Sequence, residues 1–177
     1  MNRVIRFLLA IIIFIAVCVG MMRFFSLLYP NNYKAEVDKY SRRYDVSAEL
    51  VYAVIRAESK FDKDAVSDKG AKGLMQIMDT TGEWAAKKIK IKNPDLFDPD
   101  TNIEIGTYYL SYLLDFYDGD EICAVAAYNA GPANVSEWLA DKRYSKNGKT
   151  LDKIPFAETE TYVKRVMENV EKYGFLY

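Results

Sequence analysis

The chain has 177 residues, of which 50% are hydrophobic and 28% charged, a balance typical of one globular domain of modest size and not of a disordered polymer. It contains no histidine, which excludes Ser-His-Asp and Cys-His nucleophile systems and nearly all zinc sites. Acid–base chemistry near neutral pH must therefore come from a Glu, Asp, Lys or Tyr whose pKa is shifted. Beyond residue 30 there are 21 basic and 25 acidic side chains, which argues against a nucleic-acid partner.

The N-terminal stretch is strongly apolar. Phe7 to Met22 is a run without charge or proline, with an arginine on either side. As a helix, these 16 residues span about 24 Å, and continuation to Leu28 reaches the roughly 30 Å of a bilayer's hydrocarbon layer. We predict a transmembrane anchor over residues 1–29; a cleaved signal peptide is the alternative, although no good small-x-small cleavage site follows the run. Arg3 and Arg6 favour a cytoplasmic tail, so the rest of the chain is expected outside the cell membrane.

Residues 30–33 are predicted to be a linker, and residues 34–177 a single globular domain. Strand signals are almost absent from this part of the sequence, so the domain is expected to be mainly helical. A charged, half-exposed first helix is predicted from Tyr33 to Tyr44. The two cysteines, Cys18 and Cys123, lie on opposite sides of the linker, so no internal disulfide is expected and the fold must depend on packing.

The next helix carries the first candidate functional residue. Ser47 is its expected N-cap, and its apolar residues recur at three- and four-residue steps, as on a buried helix face. These residues are Leu50, Val51, Val54, Ile55 and Ala57. Glu58 stands at the C-terminal end of the helix, close to that stripe. Burial and the helix dipole both disfavour a negative charge there, so its pKa is expected to be raised, as a proton donor requires.

Five further helices are predicted, each beginning at a capping residue or a proline. Their expected spans are 80–89, 98–119, 120–131, 132–139 and 155–174, and the first is expected to open with a capping box made by Thr80 and Glu83. A polar loop over 59–72 and a helical turn over 73–77 precede them. Gly106 costs about 1 kcal/mol relative to Ala inside a helix, which predicts a close contact with another helix there.

Three motifs occur in order along the chain: Glu58-Ser59-x-Phe61 with Ala65-x-Ser67, then Gly73-Leu74-Met75-Gln76-Ile77, then Ala127-Tyr128-Asn129-Ala130-Gly131. Together they resemble the catalytic domain of the soluble lytic transglycosylases, which is related in fold to goose-type lysozyme. The resemblance extends from about residue 34 to residue 173, and Glu158-Thr159-x-x-Tyr162-Val163 is similar to the closing motif of that family. Asp79 and Lys63 depart from it, since such sequences often carry proline at these positions. The resemblance implies a lysozyme-like fold.

The resemblance also implies a reaction, cleavage of the β-1,4 bond between N-acetylmuramic acid and N-acetylglucosamine in peptidoglycan. Glu58 matches the catalytic acid, which protonates the leaving oxygen and then acts as base on the muramyl 6-hydroxyl, closing a 1,6-anhydro ring. Because the attacking hydroxyl belongs to the substrate, the reaction needs no second carboxylate, unlike ordinary glycosidases. No metal or cofactor is expected.

Six further residues match substrate-binding or groove-lining positions of the family: Ser67, Gln76, Met78, Tyr128, Asn129 and Tyr162. Structural roles remain open for four of them. The alternative for Ser67 is to cap a loop, and Met78 is equally suited to fill the core. Asn129 is suited to cap the end of a helix, and Tyr162 to pack against a residue one turn further on.

Three functions are consistent with these residues. The first is a membrane-anchored, single-pass lytic transglycosylase with its catalytic domain outside the cytoplasm, whose partners are peptidoglycan glycan strands and the membrane. The second is a lysozyme-type hydrolase in which water attacks at the same site. The third is a non-catalytic wall-binding or scaffold module, and a cell-envelope assembly is a further candidate partner. An intact Glu58 argues against the third, because binding alone does not require a shifted acid.

Overall fold

The computed structural model describes residues 3–177, with residue 4 described by its backbone alone, so the first two residues of the predicted anchor lie outside the described residues. Within that range the chain is mainly helical, as predicted, and strand pairing is limited to two isolated bridges. The helices are α1 Arg3–Leu28, α2 Lys34–Tyr44, α3 Ala48–Glu58, α4 Asp79–Ile89, α5 Pro99–Phe116, α6 Glu121–Ala130, α7 Pro132–Ala140 and α8 Ala157–Leu176.

α1 is the apolar helix expected from the sequence. Its segment Ile5–Leu28 has a mean hydropathy of 2.7 in its best window, and none of that window is buried against the rest of the protein. Its 24 residues span about 36 Å, enough to cross a hydrocarbon layer. A signal sequence would meet the same criteria of length and composition, so both alternatives stay open at this point.

α3 is the central helix of the domain. Its residues from Leu50 to Ile55 are all buried, and the Ser47 hydroxyl accepts a hydrogen bond from the Leu50 amide at 3.2 Å, which confirms the predicted N-cap. α8 packs along α3 in the opposite direction, because Tyr173 stacks on Tyr52 at 5.2 Å while the start of α8 lies beside the end of α3. This pairing brings the first turns of α8 to Glu58.

The Gly73–Ile77 segment is a tight turn closed by an antiparallel bridge between Lys72 and Ile77, so the predicted helical turn is wrong. Gln76 occupies the left-handed region of the backbone map, with φ 50°, which a helical turn would not contain. The close contact predicted at Gly106 exists, but its partner is this turn and not another helix. A Cβ at Gly106 would collide with the Sδ of Met75.

Asn102 on α5 fastens this turn to the core. Its Oδ1 accepts from the Met75 amide at 2.8 Å, and its Nδ2 donates to the carbonyls of Leu96 at 2.7 Å and Lys72 at 3.0 Å. The side chain is fully buried and has lost its hydrogen bonds to water, and these three bonds compensate for that loss. Asn102 belongs to none of the sequence motifs quoted above.

The predicted helix starts have mixed outcomes. Asp98 and Asp120 cap α5 and α6, accepting from the Thr101 amide at 2.9 Å and the Cys123 amide at 2.7 Å. The capping box at Thr80 is wrong, because α4 begins at Asp79 with no side-chain cap. Asp79 is the first helical residue, where the helix dipole favours an acid.

Two predicted helix ends are also wrong: α5 stops at Phe116, before Gly119, and α8 continues past Gly174 to Leu176.

The segment between α1 and α2 is bonded to the last turns of α8. The hydroxyl of Tyr173 donates to the carbonyl of Pro30 at 2.9 Å, and that of Tyr177 to the carbonyl of Tyr29 at 2.8 Å. The Arg56 guanidinium lies 4.2 Å from the centre of the Tyr29 ring. α8 therefore contacts Glu58 at one end and the junction with α1 at the other.

Candidate functional site

Glu58 is the last residue of α3, and its carboxylate contacts α8. Its Oε1 accepts a hydrogen bond from the Tyr162 hydroxyl at 2.7 Å. The next residue, Ser59, donates its hydroxyl to the Leu74 carbonyl at 2.8 Å, which ties the end of α3 to the Gly73–Ile77 turn. The carboxylate is therefore fixed between a central helix, the final helix and a tight turn.

The pKa of Glu58 is raised from its ordinary value of 4.5 to about 7. Burial is the main cause, and the hydrogen bond from Tyr162 and the positive charge of Arg165 partly oppose it. No neighbouring carboxylate of the described residues contributes to the shift. An acid with this pKa is populated in both protonation states near neutral pH, which suits a group that must give and then take a proton.

An open cleft of about 670 Å³ lies in front of Glu58. The structure brings six of the seven predicted site residues to its wall: Glu58, Ser67, Gln76, Met78, Tyr128 and Asn129. Tyr162, the seventh, is buried behind Glu58 and reaches the cleft only through the carboxylate. Further lining residues are Asp68, Lys69, Ala71, Ala130, Phe156, Glu158 and Thr159.

Among these further residues, Phe156 and Lys69 belong to no motif, and only the fold brings them to the cleft. Glu158 and Thr159 belong to the closing motif quoted above, so the signal for them was present in the sequence.

Two of the lining residues also hold the loop between α3 and α4 in shape. Gln76 donates its Nε2 to the carbonyls of Ala65 at 3.1 Å and Gly73 at 3.0 Å, so only its amide oxygen is left for a ligand. The Ser67 hydroxyl accepts from the Ala71 amide at 3.0 Å, which is the loop-capping role that the sequence left open. Both residues lie on the cleft wall all the same.

The end of α6 forms the opposite wall. The Tyr128 hydroxyl donates to the Met75 carbonyl at 2.8 Å, and burial together with the charge of Glu58 raises its pKa well above the ordinary value, so it stays protonated. Asn129 accepts from the Thr159 hydroxyl at 2.8 Å and so links α6 to α8, with its amide donors left over. Met78 is 42% exposed and therefore not a core residue.

Among the described residues, no group of three or more carboxylate or thiol side chains is placed to hold a metal ion.

A family model described as "Transglycosylase SLT domain" matches residues 36–151. The soluble lytic murein transglycosylase of Salmonella typhimurium is 38% identical over 146 residues, covering 78% of this chain and 22% of that protein. The membrane-bound lytic murein transglycosylase C of Edwardsiella ictaluri is 30% identical over 181 residues, covering 82% of this chain and 49% of that protein. The chain therefore spans about a fifth to a half of the length of these relatives.

Solved structures give the same result. The 70 kDa soluble lytic transglycosylase from Escherichia coli superposes with a TM-score of 0.76 at 32% identity, over 85% of this chain and 25% of that one. The lytic transglycosylase Slt from Pseudomonas aeruginosa, solved as an inactive mutant with glutamine in place of a glutamate, gives a TM-score of 0.75 at 33% identity over 84% of this chain and 25% of that one. Because the family model matches more than half of its residues, the chain belongs to the transglycosylase SLT domain family.

Proposed function

We propose that this protein is a membrane-anchored lytic transglycosylase that cleaves the β-1,4 bond between N-acetylmuramic acid and N-acetylglucosamine in peptidoglycan. The observation that carries the proposal is the environment of Glu58, a partly buried carboxyl with a pKa of about 7 that faces an open cleft and is bonded to Tyr162. The names of the relatives support the substrate class, since they are lytic murein transglycosylases.

Glu58 acts twice in the proposed reaction. In its protonated form it donates its proton to the glycosidic oxygen, and the bond from the anomeric carbon to that oxygen breaks. As a carboxylate it then takes the proton of the muramyl 6-hydroxyl, whose oxygen bonds to the anomeric carbon to close the 1,6-anhydro ring. The proton count of Glu58 is restored at the end, and no water is consumed.

No other carboxylate among the described residues contributes to the pKa of Glu58, which favours this route over a paired-carboxylate mechanism. In ordinary glycosidases the second carboxyl lies roughly 5 to 9.5 Å from the acid, and at that distance it would raise the acid's pKa by like-charge repulsion. Burial is the cause that raises the pKa of Glu58, whereas Asp68 and Glu158 on the cleft wall are exposed and do not contribute. The inactive glutamate-to-glutamine mutant of the Pseudomonas relative agrees with dependence on one acid.

The other lining residues would bind the sugar strand. Asn129 keeps its amide donors and Gln76 its amide oxygen, so together they offer both kinds of hydrogen-bond partner that a sugar ring uses. Met78 and Tyr128 supply apolar surface on either side. Ser67 shapes the loop and presents its remaining hydrogen-bonding capacity to the cleft.

We further propose that α1 is retained as a single-pass anchor, with the catalytic domain of residues 34–177 on the extracytoplasmic side. The junction at residues 29 and 30 supports retention, because the hydroxyls of Tyr173 in α8 and of Tyr177 just after it bond to carbonyls there. Cleavage of a signal peptide after residue 30 would remove both acceptor carbonyls. The membrane-bound relative from Edwardsiella ictaluri also supports a membrane location.

Mass spectrometry of digested cell wall tests the chemistry. Purified full-length protein in detergent is incubated with isolated peptidoglycan, alongside the Glu58→Gln variant. Muropeptides ending in 1,6-anhydromuramic acid, absent with Glu58→Gln, are the expected result. Reducing ends would show that water attacks and the protein is a hydrolase. Binding to the wall without any cleavage would favour a scaffold module.

A further inference from the structure

The last turn of α8 lies beside the last turns of α1. An open groove of about 440 Å³ separates the two helices. One wall of the groove consists of side chains of α1 between Val19 and Ser26, and the other consists of Phe175, Leu176 and Tyr177. We refer to Phe175, Leu176 and Tyr177 together as the α8 tip. The domain therefore meets α1 at the α8 tip as well as through the short connecting segment.

The α8 tip exposes more apolar surface than the packing of the domain explains. Phe175 is 88% exposed and Tyr177 is 54% exposed. Outside α1, no other large hydrophobic side chain exceeds 58% in the part of the chain that the structure describes. The earlier turns of α8 bury their apolar side chains, among them Val166 and Tyr173, in the core. Exposure of apolar surface to water is unfavourable by about 25 cal/mol per Å², so the Phe175 ring is poorly suited to an aqueous environment.

Two hydrogen bonds and two ring contacts hold the α8 tip against the end of α1. The Tyr177 hydroxyl donates to the Tyr29 carbonyl at 2.8 Å, and the Tyr173 hydroxyl donates to the Pro30 carbonyl at 2.9 Å. The Tyr173 ring lies 5.7 Å from the Tyr29 ring and 6.0 Å from the Tyr177 ring. Phe175 stands between these two bonded tyrosines in the sequence, so its backbone is fixed close to α1.

The position of the α8 tip along α1 corresponds to the outer boundary of a bilayer. The apolar segment Ile5–Leu28 spans about 36 Å, roughly 6 Å more than a hydrocarbon layer. Met22, which lines the groove, lies about 9 Å before Leu28 along the helix. An α1 that crosses the membrane therefore places the tip at the level where aromatic side chains are enriched in membrane proteins. Arg23, also in the groove, is long enough to reach the lipid headgroups.

We propose that Phe175 and Tyr177 insert into the outer interface of the lipid bilayer beside α1, so that the domain rests on the membrane through α8. This inference rests on the proposed retention of α1 as an anchor. The partner is a lipid surface, because the exposed rings adjoin a helix whose most apolar window has none of its surface buried against the protein. The rings of the tip continue that lipid-facing surface.

A second membrane contact gives the cleft a fixed position above the bilayer. Tyr162, which bonds to Glu58, lies thirteen residues before Phe175, or about 20 Å along α8. A domain joined to the membrane by α1 alone is free to turn about the connecting segment. With the α8 tip inserted, that freedom is lost, and the cleft addresses glycan strands at one distance from the membrane.

Fluorescence quenching by brominated lipids tests the contact. Full-length Phe175→Trp protein is reconstituted in phosphatidylcholine–phosphatidylglycerol vesicles whose acyl chains carry bromine either near the headgroup or near the chain end. Phe116→Trp is the matched control, because Phe116 is 53% exposed and lies at the end of α5, away from the groove. The signal of the wild type, which contains Trp84 and Trp138, is subtracted from both. Flotation with the vesicles after a carbonate wash reports separately whether α1 is inserted.

Phe175→Trp is expected to be quenched roughly twofold or more by the shallow bromines and less by the deep ones, as for a ring at headgroup level. Phe116→Trp is expected to be quenched by neither, and equal quenching of the two variants would overturn the contact. Protein that floats with the vesicles while Phe175→Trp stays unquenched would overturn it too and leave the anchor standing. Blue-shifted emission without quenching would mean that a second copy of the chain covers the tip, against the proposal. Protein that washes off the vesicles would remove the anchor, and the contact with it.

Discussion

The two ends of α8 use the same chemistry on different acceptors. Near its start, the Tyr162 hydroxyl donates to the Glu58 carboxylate at 2.7 Å, and near its end, the Tyr173 hydroxyl donates to the Pro30 carbonyl at 2.9 Å. Both rings are buried and both hydroxyls have raised pKa values because of that burial. Both bonds join α8 to another part of the chain. Only the acceptor differs, since a carboxylate titrates and a peptide carbonyl does not.

This difference separates a bond that tunes chemistry from a bond that only holds structure. At the Glu58 end, the hydrogen bond stabilises the charged form of the acid and so lowers its pKa against the larger effect of burial. Its strength therefore depends on pH. At the Pro30 end, the bond joins the domain to the end of α1 and has the same strength at every pH where the fold is intact. A Tyr→Phe substitution should therefore change the pH dependence of activity at Tyr162 and leave it unchanged at Tyr173.

Glu58→Gln should have the largest effect, because it removes the acid while keeping the shape. We expect wall cleavage to fall by roughly a thousandfold or more, in the range that a general acid contributes. Turnover of isolated peptidoglycan by mass spectrometry measures this. Retention of full activity would contradict the assignment of Glu58.

Glu58→Gln should also be more stable than the wild type at alkaline pH. The folded pKa of Glu58 is about 7 against 4.5 in an exposed group, so the native state loses stability as pH rises from about 4.5 through 7, where the buried acid must ionise. Above pH 7 this penalty is on the order of 3 kcal/mol, and glutamine avoids it. Urea unfolding at pH 5 and pH 8 measures the difference, which should be small at pH 5 and large at pH 8.

Tyr162→Phe should come next, since it removes the hydrogen bond and leaves the acid. A hydrogen bond to a charged group contributes about 1.5 to 3 kcal/mol, so kcat/KM is expected to fall roughly ten- to a hundredfold. Because that bond lowers the pKa of Glu58, its loss should raise the pKa further. The alkaline limb of the pH–rate profile should therefore move to higher pH.

A profile of Tyr162→Phe that kept the wild-type alkaline limb, with lower activity throughout, would show that Tyr162 only packs against its neighbours. That outcome would remove the distinction between the two ends of α8.

Gly106→Ala should destabilise the Gly73–Ile77 turn, which lies beside Glu58, through packing alone. The new methyl group would collide with Met75 in the turn that holds Gln76, and overpacking of this kind costs about 1 to 3 kcal/mol. Urea unfolding should show the loss at pH 5 and pH 8 alike, because no titrating group is involved. Adding Met75→Ala makes room for the methyl group and should remove the overpacking, although the smaller residue carries its own cavity cost. A loss that changed with pH would contradict a packing origin.

Local sequence patterns predicted the helix that carries Glu58, but not the Gly73–Ile77 turn beside it. Ser47, Asp98 and Asp120 cap helices as predicted, because an N-cap depends on the amides two or three residues ahead. Glu58 at the end of a buried helix was predictable for the same reason, since the apolar stripe of α3 lies in the residues just before it.

The Gly73–Ile77 turn was mispredicted because its shape is set by distant residues. Asn102, some thirty residues along, bonds to Met75 within the turn and to Lys72 just before it, and Gly106 makes space for Met75. No pattern within the segment GLMQI reveals that Gln76 has a positive φ. The capping box predicted at Thr80 is wrong for a similar reason, because the turn is followed directly by α4 and the N-cap is Met78, two residues before Thr80.

Tyr173→Phe should have the smallest effect and completes the comparison. It removes one neutral hydrogen bond to the Pro30 carbonyl, worth about 0.5 to 1.5 kcal/mol, and keeps the ring that stacks on Tyr52. Urea unfolding of the full-length protein in detergent should show that loss equally at pH 5 and pH 8. Wall cleavage should keep its rate and both limbs of its pH profile, because the carbonyl that loses its donor carries no proton to exchange. A shifted alkaline limb in Tyr173→Phe would mean that the α1 end of α8 communicates with Glu58, and the two ends would then have to be treated as one coupled unit.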